Sequence, residues 1–128
     1  SMPESTIDGM KRLMEMPAIK GKKNPTVLNM TELTPLAYEI GYELETPQPL
    51  WYHLNVSIFD KEVDEFCEKI SNEYFEVVLF EVVPNLNNFY PYKVRDSLLK
   101  HYTLTDTFLA PRRPTNATIE VYVRKPIQ

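Results

Sequence analysis

An apolar segment in the second half of the chain is followed at once by amide and aromatic residues. FEVVLFEVV carries Glu81 near its carboxyl end, and PNLNNFYPY comes directly after it. If the apolar segment is a buried parallel strand, its carboxyl end opens onto the crevice where α/β sheets bind ligands. Asn29 and Glu32 follow an earlier apolar run and are expected at the same edge. The candidate ligand-binding residues are Asn29, Glu32, Glu81, Asn85, Asn87, Asn88 and Tyr90.

These residue types are the ones that a carbohydrate site uses. Amides and carboxylates exchange hydrogen bonds with sugar hydroxyls in both directions, and an aromatic ring can stack on a sugar face. A structural interpretation is also open, because asparagines tolerate left-handed backbone and bond their own main chain in turns. The sequence therefore predicts a capped turn at the place where a ligand site is expected.

Other kinds of chemistry find little support in the sequence. The chain has three glycines, too few and too scattered for a phosphate-binding loop. Its two histidines, His53 and His101, have no partner at ligand spacing, and Cys67 is the one cysteine. Cys67 falls at helical spacing among apolar residues, where a small apolar filler is expected. We therefore predict no catalytic residue, no metal and no cofactor.

Chain length and net charge restrict the number of domains and the kind of partner. A chain of 128 residues is expected to form one domain, and a formal net charge of −4 argues against a nucleic-acid partner. The domain divides into an N-terminal helix with its connector over residues 1–24 and a core over residues 25–125. The Ser1-Met2 start predicts a fragment cut from a longer chain.

The first half of the chain predicts alternating helices and strands. Ser5 is expected to cap a first helix that ends at Pro17. PTVLNM is the first strand, and PQPLWYHL is a short second strand. Between them Thr34-Pro35 opens a helix with Leu36, Ile40 and Leu44 at a spacing of four, and Gly41 is its C-terminal stop signal. The inward residues of the first helix are expected to be Ile7, Met10, Leu13 and Met14.

The second half predicts the centre of the fold. Asp60 is expected to cap a helix whose inner residues are Val63, Phe66, Cys67 and Ile70. Phe75–Val83 is expected to be the middle strand, covered on both faces. Pro91 opens a further helix with Val94 and Leu98 inward.

Two strands close the chain. In the last one, Ile119, Val121 and Val123 alternate with Glu120, Tyr122 and Arg124, which predicts one face exposed to water. The fold class is then α/β, a small three-layer sandwich with parallel central strands in the order 2-1-3 and a C-terminal antiparallel hairpin.

As a whole, residues 25–125 resemble the soluble C-terminal domain of bacterial GT-C membrane glycosyltransferases, the dolichyl-phosphate-mannose mannosyltransferase-like proteins. The likeness lies in the order of short patterns. The matching segments are VLNMTELTPLAYEIGYE, PLWYHL, DKEVDEFCEKI, FEVVLFEVV, LLKHYTL and IEVYVRK.

This resemblance implies a non-catalytic accessory domain on the extracytoplasmic face of a bacterial membrane. Its partners would be the membrane-embedded part of the same parent chain and a lipid-linked sugar or other carbohydrate. In that family the acidic residues that activate the acceptor lie between membrane helices, so no catalytic residue transfers to this sequence. The alternatives are a free-standing α/β module that binds a ligand, such as a carbohydrate, and a fragment of a small hydrolase or transferase.

Overall fold

A computed structural model describes residues 3–22, 25–31, 43–44, 56–82, 92–110 and 117–126. These residues include three helices and five strands. In chain order they are α1 Glu4–Glu15, β1 Thr26–Met30, β2 Glu43–Leu44, α2 Val56–Ser71, β3 Val77–Val82, α3 Tyr92–His101, β4 Tyr102–Leu109 and β5 Thr118–Arg124.

The described strands form one mixed sheet in the order β2-β1-β3-β5-β4. β1 runs parallel to both β2 and β3, while β5 runs antiparallel to β3 and β4. The α/β class, the parallel neighbours β1 and β3 and the C-terminal hairpin are therefore confirmed. Glu43–Leu44 lies where the second strand was expected, whereas the segment predicted to form that strand, PQPLWYHL, lies outside the described residues. Within the hairpin, β5 lies next to β3 because it is the more apolar strand. Five of the eight residues of β4 are exposed and a sixth, Asp106, is half-buried.

Helices cover both faces of this sheet. Residues in register share a face, so Phe108 and its partner Ile119 lie on one side, and Glu120 lies on the other. α1 packs on the first side through Gly9, next to Phe108. α3 covers the second side, where Arg95 bonds Glu120. The predicted three layers follow from this arrangement.

The middle strand was predicted correctly. Val77, Val78, Leu79 and Phe80 of β3 are all completely buried. Leu13 of α1 and Ile70 of α2 join them in the core, together with Val94 and Leu98 of α3. The inward positions predicted for α3 are thus confirmed.

The predictions for α1 were wrong in two respects. The residue before the helix is Pro3, and Ser5 caps no backbone amide of its own helix. Two of the four residues predicted to face inward are confirmed, because Leu13 is buried and the partly buried Met10 packs against the core. Ile7 and Met14 are 40% and 36% exposed, and Thr6 and Gly9 complete the buried side of the helix. The reason is the close approach of α1 to β4, which turns the side with the smallest residues inward.

Two element boundaries also differ from the prediction. α2 begins at Val56, so Asp60 lies inside the helix, since the residues between them include no helix breaker. Its predicted inner residues Val63, Phe66 and Ile70 are buried, and Cys67 is half-buried. Leu44 was expected to lie on the helix that starts at Thr34, but it belongs to β2, where it pairs with Val27.

Other parts of these predictions lie outside the described residues. They are the helix from Thr34, the strand PQPLWYHL, and Pro91 at the start of a helix. Among the helices that the structure describes, none combines the length and apolar character needed to cross a membrane.

Candidate functional site

The carboxyl ends of β1 and β3 meet at one edge of the sheet. Asn29 pairs with Leu79, and the last residues in register are Met30 and Phe80. Thr31 follows β1 directly, and Glu81 is the next residue of β3. Asn29, Thr31 and Glu81, here called the carboxyl-edge cluster, are 3%, 4% and 4% exposed.

Asn29 and Thr31 form a local turn within this cluster. Asn29 Oδ1 accepts a hydrogen bond from the Thr31 main-chain N–H at 3.0 Å and another from Thr31 Oγ1 at 2.6 Å. An asparagine that bonds the backbone two residues ahead is a common turn-forming device. The side-chain oxygen of Asn29 therefore positions Thr31 at the end of β1.

Glu81 is the ionisable member of the cluster. It pairs with Ile119 of β5, so it lies on the same face as Phe108 and α1. Burial raises the pKa of Glu81 to about 7, because the charged carboxylate loses its hydration there. Near neutral pH both forms are populated. The protonated form donates and accepts hydrogen bonds, whereas the ionised form only accepts them.

The structure thus brings Asn29 and Glu81 to the same buried edge. The other five candidates, Glu32, Asn85, Asn87, Asn88 and Tyr90, lie outside the described residues. Ligand binding by any of the seven stays a prediction. Thr31 was missed, although a hydroxyl two residues after an asparagine at a strand end is the signal of such a turn.

A second buried polar group lies on the opposite face of the sheet. Glu120 receives two hydrogen bonds from Arg95, at 2.8 and 2.7 Å, and one from the Tyr122 hydroxyl at 2.7 Å. The bond to Glu120 raises the pKa of Arg95, and burial followed by the same carboxylate raises the pKa of Tyr122. Both carboxylate oxygens of Glu120 accept hydrogen bonds from within the fold, so we interpret this network as structural.

This network corrects the prediction of an exposed face on β5. Glu120 is 5% exposed and Tyr122 is completely buried. The alternation of apolar and polar residues was real, but α3 covers the polar side and supplies Arg95 as the partner. Sequence periodicity reports the two faces of a strand and cannot tell a covered polar face from a wet one.

A third group of hydrogen bonds fixes the main chain just before β3. Phe75 O accepts hydrogen bonds from the Tyr102 hydroxyl at 2.7 Å and from Arg124 Nε at 3.1 Å. Arg124 also donates to the carbonyls of Glu73 and Tyr74, at 2.8 and 2.9 Å. Burial raises the pKa of Tyr102 to about 12, so its hydroxyl keeps its proton and remains a donor. Tyr102 and Arg124 belong to two of the segments that carry the family resemblance, and their role here is structural.

A groove of about 640 Å³ lies at the opposite end of the sheet from the carboxyl-edge cluster. Its floor is made by Met16, Pro17, Ala18 and Val123. Charged residues surround that floor, and they come from parts of the chain that are far apart in sequence. No local sequence pattern could have revealed this groove.

The metal-binding residue types do not cluster in the part of the chain that the structure describes, where no group of three could hold an ion. His101 ends α3 as predicted. The Cys67 Sγ lies 3.7 Å from the Lys93 carbonyl oxygen, which fits a packing role. His53 lies outside the described residues.

Comparison with known proteins yields no match to a family model, to a curated protein or to a solved structure. The resemblance to the GT-C domains therefore stays a prediction from the sequence. Functional inference depends on the sites described above.

Proposed function

We propose that this chain is a non-catalytic α/β domain that binds a carbohydrate at the carboxyl-edge cluster. The observation that carries the proposal is Glu81, a buried carboxyl group with a pKa near 7, at the carboxyl end of the central parallel strand. Burying a carboxyl group is costly, and a fold that needed only a filler there could use an apolar side chain. The position is also the one where open α/β sheets bind their ligands.

The chemistry of the cluster suits an uncharged ligand rich in hydroxyls. At neutral pH Glu81 can accept from one sugar hydroxyl and donate to another, and Thr31 adds a hydroxyl at the same edge. The predicted loop from Asn85 to Tyr90 starts shortly after Glu81 and would supply further amides and an aromatic ring.

Binding is a better assignment than glycoside cleavage. Most glycosidases need two carboxyl groups that face each other across the scissile bond. Glu120, the other buried carboxylate of the described residues, lies on the opposite face of the sheet and is bonded to Arg95. Glu81 and Glu120 therefore cannot act as such a pair.

We further propose that the parent protein is a membrane glycosyltransferase of the GT-C type, with this domain on its extracytoplasmic side. The domain would support the membrane-embedded part of the chain or help to select a lipid-linked sugar. The order of the sequence patterns supports this assignment.

Titration followed by nuclear magnetic resonance tests the binding function. Mannose, galactose, glucose and N-acetylglucosamine are added to the ¹⁵N-labelled chain, and at least one is expected to shift the amides of Asn29, Thr31 and Glu81. Glu81→Leu should abolish these shifts because it removes the donor and the acceptor. Glu81→Gln should retain binding, because an amide keeps both. If none of the sugars shifts these amides at millimolar concentration, carbohydrate binding at this edge is ruled out.

A separate observation tests the parent protein. The natural reading frame is expected to continue upstream of Met2 into several hydrophobic spans. If it does not, the glycosyltransferase assignment fails, while the binding result stands and belongs to a free-standing module.

A further inference from the structure

β4 is the outermost strand on one side of the described sheet, where its neighbour is β5. The outer side of such a strand carries main-chain N–H and C=O groups with which a strand of another molecule can pair. Whether two copies of the chain pair there depends on what occupies that side in the fold.

The two halves of β4 differ in how well they could pair. The register with β5 shifts between Leu104 and Asp106, and an irregularity of this kind disrupts pairing on the outer side. From Asp106 to Leu109 the register is regular. This half contains threonine and phenylalanine, which favour strands, and it lacks the lysine or proline that commonly prevents edge pairing. Its sequence is therefore suited to pairing with another strand.

The outward main-chain groups of this second half belong to Thr107 and Leu109. The N–H of Ala110 donates to the carbonyl of Ala117, next to β5, at 2.9 Å. Successive residues of an antiparallel ladder direct their main-chain groups alternately towards the partner strand and away from it. Because Ala110 faces the partner strand, Leu109 and Thr107 direct their N–H and C=O groups to the outer side.

The first turn of α1 occupies both outward groups of Leu109. The N–H of Leu109 donates to Ser5 Oγ at 3.2 Å, and the Thr6 hydroxyl donates to Leu109 O. A serine at the start of a helix commonly bonds an N–H of its own helix, but α1 has no side-chain cap. The Ser5 hydroxyl is used on β4 instead.

Asp106 occupies the outward N–H of Thr107 and is itself held by α1. Asp106 Oδ1 accepts a hydrogen bond from Thr107 N at 2.9 Å. Arg12 of α1 donates to both oxygens of the same carboxylate, at 2.7 and 3.2 Å. Ser5, Thr6 and Asp106, here called the edge cover, therefore bond outward groups of β4 only while α1 is docked.

The covered segment is complementary to itself. A two-fold axis at Phe108 would place Thr107 of each copy opposite Leu109 of the other. Each of these pairs would exchange both main-chain hydrogen bonds. In that register Asp106 lies opposite Ala110 of the second copy, so like charges do not face each other. Pairing would use the same groups that the edge cover bonds, so the two arrangements exclude each other.

We propose that the edge cover is an autoinhibitory contact that prevents β4 from pairing with β4 of a second copy. The latent interaction surface is the outer side of β4 from Asp106 to Leu109, and its partner is the same surface of another chain. While α1 is docked, the chain does not pair through this edge. When the bonds of the edge cover are lost, the sheet continues from one copy into the next.

A full-chain variant without the edge cover tests the proposal. It combines Ser5→Ala, Thr6→Val and Asp106→Ala, which remove the bonding groups and leave the core contact of Leu13 in place. In sedimentation equilibrium, wild type is expected to keep its monomer mass of 15.0 kDa up to millimolar concentration. The mass of the combined variant should rise towards twice that value.

Two further changes separate edge pairing from other causes of association. Thr107→Pro, added to the combined variant, removes an outward N–H and should restore the monomer mass, because proline is tolerated at a sheet edge but cannot donate. Ile70→Val in wild type is the control for lowered stability, since Ile70 lies in the core and outside the edge cover. It should keep the monomer mass.

Amide hydrogen exchange measures the bonds of the edge cover one at a time. Ser5→Ala should accelerate exchange of the Leu109 N–H on the order of tenfold, the usual effect of losing one hydrogen bond, and leave Thr107 unchanged. Asp106→Ala should accelerate exchange of the Thr107 N–H to a similar extent. Each single variant keeps the buried Thr6, so these measurements remain decisive if the combined variant does not fold.

Three results would overturn the proposal. The first is a folded combined variant that keeps the monomer mass at millimolar concentration. The second is association that Thr107→Pro does not reverse or that Ile70→Val shares, because the contact would then lie elsewhere. The third is exchange at Leu109 and Thr107 that the single variants do not change. None of these measurements involves Glu81, so this proposal and the carbohydrate proposal fail separately.

Discussion

At the residue scale, two glutamates show that burial alone does not decide a carboxyl group's role. Glu81 and Glu120 are 4% and 5% exposed on neighbouring strands of the same sheet. Glu120 is matched by a guanidinium and a phenol, which stabilise its charge. Burial raises the pKa of Glu81 to about 7, so this residue remains able to exchange a proton near neutral pH.

The first prediction follows from that pKa. A carboxyl group whose pKa rises from 4.5 in the unfolded chain to about 7 in the fold holds its proton more tightly when folded. The contribution of Glu81 to the free energy of unfolding should therefore be fully present below pH 4.5, fall as the pH rises to 7, and be absent above it. The full fall attributable to Glu81 is roughly 3 kcal/mol. Glu81→Gln should lack it, as urea denaturation of both proteins at pH 5 and pH 8 would measure.

The control for this prediction is Ile119→Val, at the position paired with Glu81. It removes one methylene without changing any titrating group, so its cost of about 1 kcal/mol should be the same at both pH values. If the difference in stability between wild type and Glu81→Gln is also the same at both pH values, Glu81 does not titrate as described.

At the element scale, the position of α1 depends on one glycine. A Cβ built at Gly9 would lie 2.6 Å from the Phe108 Cβ and even closer to the ring. Phe108 is itself 3% exposed, so it has little room to move. At the first turn, Ser5 Oγ accepts a hydrogen bond from Leu109 N at 3.2 Å, and the Thr6 hydroxyl donates to Leu109 O. Helix and strand are therefore joined by polar bonds at one end and by close packing in the middle.

The second prediction concerns Gly9→Ala. In an exposed helix this change would stabilise by about 1 kcal/mol, but overpacking against Phe108 should reverse the sign. We expect a net loss of at least about 1 kcal/mol, measured by urea denaturation. Lys11→Ala, at an exposed position of the same helix, should change stability by about 0.5 kcal/mol or less. A stabilised Gly9→Ala variant would mean that α1 lies further from β4 than described.

These contacts explain which elements the sequence could predict. β3 and the inner face of α2 follow from long apolar patterns that no tertiary contact overrides. The inward face of α1 does not follow, because a helix that docks through Thr6 and Gly9 hides small residues and leaves Ile7 exposed. The polar residues of β5 mislead for a similar reason, since the partner of Glu120 comes from another element.

At the scale of the whole molecule, the sequence predicts the fold better than it predicts the candidate sites. Asn29 and Glu81 could be placed at one edge because parallel strands share their carboxyl ends. Thr31 could be recognised only from the turn geometry, and the groove over Met16 and Val123 only from which elements pack together. The segments that carry the family resemblance include Tyr102 and Arg124, which hold the entrance to β3. Because these residues stabilise the fold, the sequence pattern that contains them predicts the fold better than it predicts a ligand.

The last prediction concerns the N-terminal helix as part of the fold. Leu13 of α1 is 1% exposed within the core, and α1 also bonds both backbone groups of Leu109. Losing the Leu13 side chain alone should cost about 3 kcal/mol, and the hydrogen bonds about 1 kcal/mol each. A domain of this size has a net stability of roughly 5–15 kcal/mol, and deletion of residues 1–16 would also uncover Phe108.

We therefore expect the chain 17–128 to lose cooperative unfolding and the dispersion of its amide resonances. Leu13→Ala in the full chain is the matched control, because it removes one core contact but keeps the helix in place. It should unfold cooperatively at a lower urea concentration, with native dispersion before the transition. If the 17–128 chain folds with native dispersion, α1 is not required for the fold. The helix on that face of the sheet would then not be needed to keep β4 and β5 in register.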